Sequence, residues 1–204
     1  MTAFLFSGGR FLDPRRDALR DGVEMLVEDG LVKEVADRPI RTANATRIDL
    51  GGRTLMPGLI DAHIHLVMTE VNLQLLADVP LTLLAAKGSV AMREMLMRGY
   101  TTLRDTGGAD WGLKAAVEQG LFVGPRLFIS GAPISQTGGH GDFRKRTQTR
   151  FECPCCAGVS FVSRTADGLP EVIRAARDEL RKGADQIKIM ASGGVASQLD
   201  PLES

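Results

Sequence analysis

The pattern of apolar and polar positions differs between two parts of the chain. Residues 1–57 contain short apolar runs bounded by glycine and aspartate, such as FLFSGG, VEMLVEDG and LVKEVA. Runs of this length and spacing predict a meander of short strands. So small a piece buries little apolar surface, and we therefore expect a small β domain whose sheet other residues complete.

Residues 58–204 alternate between strand-like and helix-like patterns. The predicted strands are LIDAHIHL, YTTLRDTGG, PRLFISG and DQIKIMASGG, the predicted helices cover residues 79–98, 109–120 and 169–183, and a long loop covers 132–167. This alternation predicts an α/β fold with parallel strands and right-handed crossovers. A (β/α)₈ barrel needs eight strands and roughly 250 residues. Four strands fit either an open sheet or the front half of a barrel.

Composition narrows the classes of function. The chain is 44% hydrophobic, and its 25 basic residues balance 25 acidic residues. A net charge of zero argues against a nucleic-acid partner. No apolar run reaches the roughly 18 residues of a membrane span, and the N-terminal residues lack the pattern of a secretory signal. We therefore expect no membrane partner and a cytoplasmic location.

Two of the three histidines lie one residue apart, in the segment PGLIDAHIHL. In a strand, Asp61, His63 and His65 share one face. In a barrel that face points inward near the carboxyl end of the strand, where active sites are built. The spacing alone fits metal ligands and hydrogen-bonded core histidines equally well.

Lys188 lies in the middle of the predicted strand QIKIM. A lysine buried there is unfavourable unless it is paired or neutral. It could be an edge residue, a Schiff-base former or, after the neutral amine adds carbon dioxide, a carbamate. A carbamate is an anionic oxygen ligand that can bridge two metal ions, so Lys188 and the histidine pair together favour a metal site.

The segments MPGLIDAHIHL and QIKIMASGG resemble signatures of the amidohydrolase superfamily. TTLRDTGG and SQTGGHGDFR resemble one branch of it, the metal-dependent Xaa-Pro dipeptidases (prolidases) and carboxypeptidase-like enzymes, which also includes ochratoxin-hydrolysing amidohydrolases. The resemblance implies a β-sandwich-like small domain at residues 1–57 and a (β/α)₈ TIM barrel whose first four βα units occupy residues 58–204.

The resemblance also implies a site with two zinc ions. His63 and His65 correspond to the pair that binds the more buried metal, carbamylated Lys188 to the ligand that bridges both metals, and His140 to a catalytic, substrate-binding residue at the scissile carbonyl. The expected reaction is hydrolysis of the amide bond of a dipeptide or N-acyl amino acid by a metal-bridging hydroxide. A deaminase, a cyclic-amide hydrolase or a non-catalytic fragment are the alternatives.

Two further metal-binding histidines and an acid/base aspartate of the family follow its fifth, sixth and eighth strands. The chain is therefore expected to be the N-terminal half of such an enzyme. A half-barrel exposes an open sheet edge and an apolar face. We accordingly expect a homo-oligomer or a complementary C-terminal half as a partner, besides the small-molecule substrate.

Three weaker signals remain. Arg144 could bind a substrate carboxylate or belong to a solvated basic loop. Asp105 could support the histidines from behind or cap a turn. The cysteines Cys153, Cys155 and Cys156 are too few and too crowded for a typical four-ligand zinc site, and the alternatives are an accessory metal site or reduced loop thiols.

Overall fold

The computed structural model describes residues 2–16, 18–70, 75–76, 79–144, 146–147 and 162–194. The chain separates into two compact units, residues 1–57 and residues 58–204. Among the described residues, none of the helices combines the length and the apolar character that crossing a bilayer requires.

The first unit consists of short strands arranged in two sheets. Its strands are β1 (Ala3–Ser7), β2 (Arg10–Asp13), β3 (Ala18–Asp21), β4 (Glu24–Glu28), β5 (Leu31–Ala36), β6 (Thr46–Asp49) and β7 (Thr54–Leu55). A four-stranded sheet has the order β5-β4-β1-β6, and a three-stranded sheet has the order β3-β2-β7. Leu5, Leu26 and Ile40 form a small apolar core. The sequence pattern missed β2 and β3, because these four-residue strands are rich in charged side chains.

The second unit alternates strands and helices. Its elements are β8 (Leu59–Ile64), α1 (Leu81–Met97), β9 (Tyr100–Asp105), α2 (Trp111–Glu118), β10 (Arg126–Ile129), β11 (Ile134–Ser135), β12 (Arg164–Thr165) and α3 (Gly168–Arg181). β8, β9 and β10 form a parallel sheet in the order β10-β9-β8. The α/β alternation and the three helices agree with the sequence pattern.

The core of this unit lies between the sheet and its helices. Leu103, Leu127 and Ile129 from the strands pack with Leu84 and Met92 from α1. Each of these side chains is at most 3% exposed. Burying an aliphatic side chain of this size stabilises the folded state by about 1.5–3 kcal/mol. This layer therefore holds the strands, and the residues at their carboxyl ends, in position.

Two expectations for the second half of this unit need correction. The segment 132–167 is not loop throughout, because β11 and β12 form a short parallel pair within it. The predicted fourth strand around Lys188 is reduced to one bridge between Ile134 and Ile189. β11 is only two residues long, so it offers this segment just two backbone hydrogen bonds, at Lys188 and Met190.

Candidate metal centre

The histidine pair lies at the carboxyl end of β8. His63 is within the strand, and His65 follows one residue after its end. Ile64 between them packs against the core, and Leu66 beyond them is buried. The two imidazole rings meet edge to face, with centroids 5.4 Å apart. Both rings therefore lie beside each other on one side of the strand.

The ring of His65 is held by a backbone carbonyl. Its Nδ1 lies 3.1 Å from the carbonyl oxygen of Gly107, in the turn that follows β9. A carbonyl accepts only, so this contact requires hydrogen on Nδ1. In the neutral ring, Nε2 then carries the lone pair, and histidine ligands of metals are commonly oriented by such a bond.

His63 is exposed, and its surroundings favour the neutral ring. Partial desolvation lowers the pKa of His63, and the positive charges of Lys188, His65 and Arg104 lower it further, whereas Asp61 opposes them. Because the pKa lies below its usual value, more of the imidazole is neutral at a given pH. Only the neutral ring has a lone pair to offer a metal.

The segment of Lys188 lies beside the end of β9, where Gln186 bonds the carbonyl of Asp105. The charge of Lys188 acts on His63, although 125 residues separate them in the sequence. The backbone carbonyl of Lys188 accepts a hydrogen bond from the N–H of Ile134 at 2.9 Å, which aligns this segment with β11. The side chain is half-buried rather than fully enclosed, as expected for a segment with so little strand pairing.

Two residues near the centre were missed from the sequence. The Nε of Arg104 donates to the carbonyl of Ala62 at 2.7 Å, between Asp61 and His63. The side-chain amide of Gln186 donates to the backbone carbonyl of Asp105 at 3.2 Å. An arginine in β9, the middle strand of a parallel sheet, was a usable signal because charged residues are rare there.

Asp105, the last residue of β9, is fully buried. Its carboxylate accepts backbone N–H groups of Leu66, Gly107 and Ala109. Burial raises the pKa of Asp105, and these three donors oppose the shift. The carboxylate thus bonds to the backbone around His65 rather than to the imidazole, and its bonds to Gly107 and Ala109 are those of the turn cap that the sequence also allowed.

His140 lies in the loop after β11. A Cβ atom added at Gly194 would lie 2.4 Å from Cε1 of His140, so the ring rests against the backbone of the segment that follows Lys188. Nδ1 of His140 is inaccessible to solvent and has no hydrogen-bond partner among the described residues. Hydrogen bonds from Gly141 N to Ser135 Oγ and from Gly138 N to Asp142 fix the loop.

Arg144 is engaged by a carboxylate of its own loop. Its Nε and Nη2 donate to the two oxygens of Asp142 at 2.6 and 2.5 Å. This pairing lowers the pKa of Asp142 and raises the pKa of Arg144. The guanidinium group, for which the sequence allowed either a substrate carboxylate or a solvated loop, is therefore paired within its own loop, two residues away in sequence.

The donors present fit a divalent metal in part. Two imidazoles lie side by side, the charge of a primary amine acts on one of them, and Nδ1 of the other contacts a backbone carbonyl, as in many metal-binding histidines. Within the described ranges, no three His, Cys, Asp or Glu side chains gather at one point. The primary amine near the imidazoles belongs to Lys188, and its ammonium form has no lone pair for a metal. Cys153, Cys155 and Cys156 lie outside the described residues.

The sequence of this chain is similar to those of known hydrolases. Ochratoxinase from Aspergillus niger is 33% identical in an alignment 197 residues long that covers 86% of this chain and 39% of the fungal protein. Dihydroorotase from Trichlorobacter lovleyi is 44% identical, but only over 62 residues, 30% of this chain.

Solved structures agree along almost the whole chain. An amidohydrolase crystal structure is 53% identical with a TM-score of 0.93, covering 98% of this chain and 49% of that one. A prolidase complexed with N-methylphosphonate-L-proline is 46% identical with a TM-score of 0.94, covering 100% and 50%. This chain thus spans half or less of the length of these relatives. The sequence profile of the Amidohydrolase family matches residues 54–204, and the chain belongs to that family.

Proposed function

We propose that this chain carries part of the catalytic site of a metal-dependent amidohydrolase that cleaves the amide bond of dipeptides or N-acyl amino acids. The observation that carries the proposal is that the paired rings of His63 and His65 and the segment of Lys188 are joined through Asp105, which accepts hydrogen bonds from Leu66 and Gln186. The 46% identity to a prolidase bound to a proline phosphonate supports the dipeptide substrate.

The proposed cofactor is a pair of divalent metal ions, with zinc preferred because imidazole ligands suit it. His63 and His65 would bind one ion through ring nitrogens, and a carbamate on Lys188 would bridge both. A bound divalent metal lowers the pKa of water towards ~7 and polarises a carbonyl oxygen. Carbamylation also replaces the positive charge of Lys188 by a negative one. This removes the repulsion between the ammonium group and a metal cation bound at His63.

His140 is the proposed contact to the scissile carbonyl. In this role the ring donates a hydrogen bond to the carbonyl oxygen as negative charge develops there. Loss of one such donor commonly costs about 10²–10³ in kcat. The loop of His140 is held by a hydrogen bond from the backbone N–H of Gly141 to Ser135 Oγ. Gly194 leaves room for the imidazole ring, so the ring occupies its position before substrate arrives.

A cyclic-amide hydrolase is the second candidate. The similarity to dihydroorotases favours it, but that similarity covers only 30% of the chain. The prolidase similarity includes the loop with His140 and the segment with Lys188, since it extends over the whole chain. A panel of Xaa-Pro dipeptides, N-acyl amino acids and cyclic amides distinguishes the two.

The test is metal content and hydrolysis of that panel by the whole protein, prepared with zinc in the presence and absence of bicarbonate. We expect about two metals per chain and hydrolysis that needs bicarbonate, since the carbamate forms from carbon dioxide. His63→Ala should lose metal and activity together. His140→Asn should keep its metal and lose kcat. Full activity of His63→Ala would refute the proposal, and a protein that never binds metal would favour the non-catalytic alternative.

The second unit also presents an open sheet edge. β8 is the outer strand of its three-stranded sheet, and Ile60 on it is 68% exposed. Phe128 on β10 and Ile189 beside Lys188 are 40% and 59% exposed. We infer that the isolated 204-residue chain associates, with its own copies or with a complementary half of the barrel. Sedimentation velocity tests this, and a stable monomer would contradict it.

A further inference from the structure

Asp105 links the segment that carries His63 and His65 to the turn whose Gly107 carbonyl contacts His65. Its Oδ2 accepts the N–H of Leu66, the residue after His65, at 2.7 Å. Its Oδ1 accepts the N–H groups of Gly107 and Ala109 at 2.9 and 3.2 Å. Each oxygen therefore serves a different segment, and the carboxylate fixes the distance between them.

The turn fixed in this way supplies the carbonyl that contacts His65. A side chain at Gly107 would lie 2.5 Å from the ring of Pro133 and 3.4 Å from Cε1 of His65. The glycine thus permits the close approach that brings its carbonyl to Nδ1 of His65. Asp105 determines where that carbonyl lies, because it binds the N–H of the same glycine.

The same residue reaches the segment of Lys188. The backbone carbonyl of Asp105 accepts a hydrogen bond from Gln186, two residues before Lys188. Through its side chain and its backbone, one residue thus joins the segments that carry all three proposed metal ligands.

We propose that Asp105 is a positioning residue that fixes the orientation of His65 and keeps its hydrogen on Nδ1, acting through two backbone segments without touching the imidazole. The effect on the His65 ring depends only on this geometry. Its consequence for metal affinity rests on the proposed function. A carboxylate is needed because both oxygens must accept, whereas an amide of the same shape would direct an NH₂ group at one of the donors.

The first readout is the state of the His65 ring. In the whole protein labelled with ¹⁵N-histidine, single substitutions of the three histidines of this chain assign their imidazole signals. In the neutral ring, we expect His65 of the wild type to carry its hydrogen on Nδ1, where the carbonyl of Gly107 accepts it. Asp105→Asn should give a mixture of both ring forms. Hydrogen on Nε2 in the wild type overturns the proposal without any variant, so it stays testable if Asp105→Asn does not fold.

The matched control is Glu179→Gln. Glu179 is 3% exposed and also accepts a backbone N–H, that of Ala132 at 3.1 Å, and it pairs with Lys182 and Arg164. Among the described residues, it does not bond Leu66 or Gly107 directly, since the turn after β9 reaches its segment only through the N–H of Gly108 and the carbonyl of Gly131. We expect this variant to lose stability as Asp105→Asn does, while the His65 ring stays unchanged. Equal His65 signals in the wild type and in both folded variants would show that Asp105 is merely structural, and would refute the proposal.

The second readout is zinc affinity, measured by competition with a chelator. Asp105→Asn should bind zinc about 10–100-fold more weakly than the wild type, and Glu179→Gln within about twofold. A changed His65 ring in a protein that binds no zinc supports the positioning role and contradicts the proposed function. An unchanged ring with normal zinc binding overturns the positioning role and leaves the proposed function intact.

Discussion

The carboxyl ends of β8 and β9 and the region where α3 meets β11 each contain a buried carboxylate, and the two are used differently. Glu179 in α3 accepts the N–H of Ala132 and also pairs with Lys182 and Arg164, so positive side chains balance its charge. Asp105 is held by three backbone N–H groups, which lead to the histidine strand and to the turn that holds His65. Burial of a carboxylate therefore does not by itself indicate a functional role. The segments whose N–H groups bond that carboxylate distinguish the two residues.

The two regions also differ in what surrounds them. Around α3, charges of opposite sign alternate and pair, as Asp178 does with Arg164, Arg181 and Lys182. Around His63, the positive groups Lys188 and Arg104 lie near a second imidazole. Positive groups near neutral imidazoles favour a negatively charged partner, whereas the paired cluster around α3 needs none.

The largest effect is expected at the candidate metal centre. Lys188→Ala in the whole protein should abolish metal-dependent hydrolysis, because the bridging ligand is lost, while the free energy of unfolding changes little since the side chain is only half-buried. The control is Lys87→Ala, which removes a surface lysine paired with Glu70. Metal content, activity and urea unfolding of both variants provide the comparison, and an active Lys188→Ala protein would place the catalytic ligands elsewhere.

The next effect belongs to the α3 region and is one of stability. Glu179→Ala leaves the N–H of Ala132 without its partner, in a buried position, and should lower the free energy of unfolding by about 1–3 kcal/mol. Activity per folded molecule should remain, which chemical denaturation and assays at low temperature can separate. If zinc binding fell instead, the α3 region and the candidate metal centre would be coupled, and Glu179 would not have a purely structural role.

A smaller effect is expected where His140 rests on Gly194. The added methyl group of Gly194→Ala collides with the ring, and we expect about a tenfold loss of kcat with normal metal content. Gly88→Ala in α1 is the matched control, since its new Cβ would meet nothing closer than 3.8 Å. That helix substitution should stabilise the protein by roughly 0.5–1 kcal/mol. Unchanged kcat in Gly194→Ala would argue against a catalytic role of His140.

The smallest effect concerns the charges of α3. Bonds from Lys182, Arg181 and Arg164 hold the pKa of Asp178 well below its usual range. A lowered pKa adds stability above the unfolded value of ~3.9, and that stability is lost as the pH falls through the folded value. Asp178→Asn should therefore cost about 0.5–1 kcal/mol at pH 7, and less below pH ~4. Urea unfolding at both pH values measures it, and a pH-independent difference would contradict the ion-pair explanation.

Much of the second unit could be predicted from the sequence alone. The 3.6-residue periodicity of α1 and the apolar strands ending at Ile64 and Asp105 are local patterns, and local patterns set the type of each element. The segment HIH and a lysine in an apolar run indicated the chemistry, since those residue types are rarely placed in strands without a partner. The matches of MPGLIDAHIHL and QIKIMASGG to one family rest on the same residues.

Only the tertiary structure decided how those residues meet. It brought the charge of Lys188 within range of His63, shortened the fourth strand to one bridge, and paired Arg144 with Asp142. It also gave the carboxylate of Asp105 hydrogen bonds from backbone N–H groups of three other residues. These outcomes depend on contacts between segments far apart in the chain or on competition among several partners, and sequence periodicity carries no information about either.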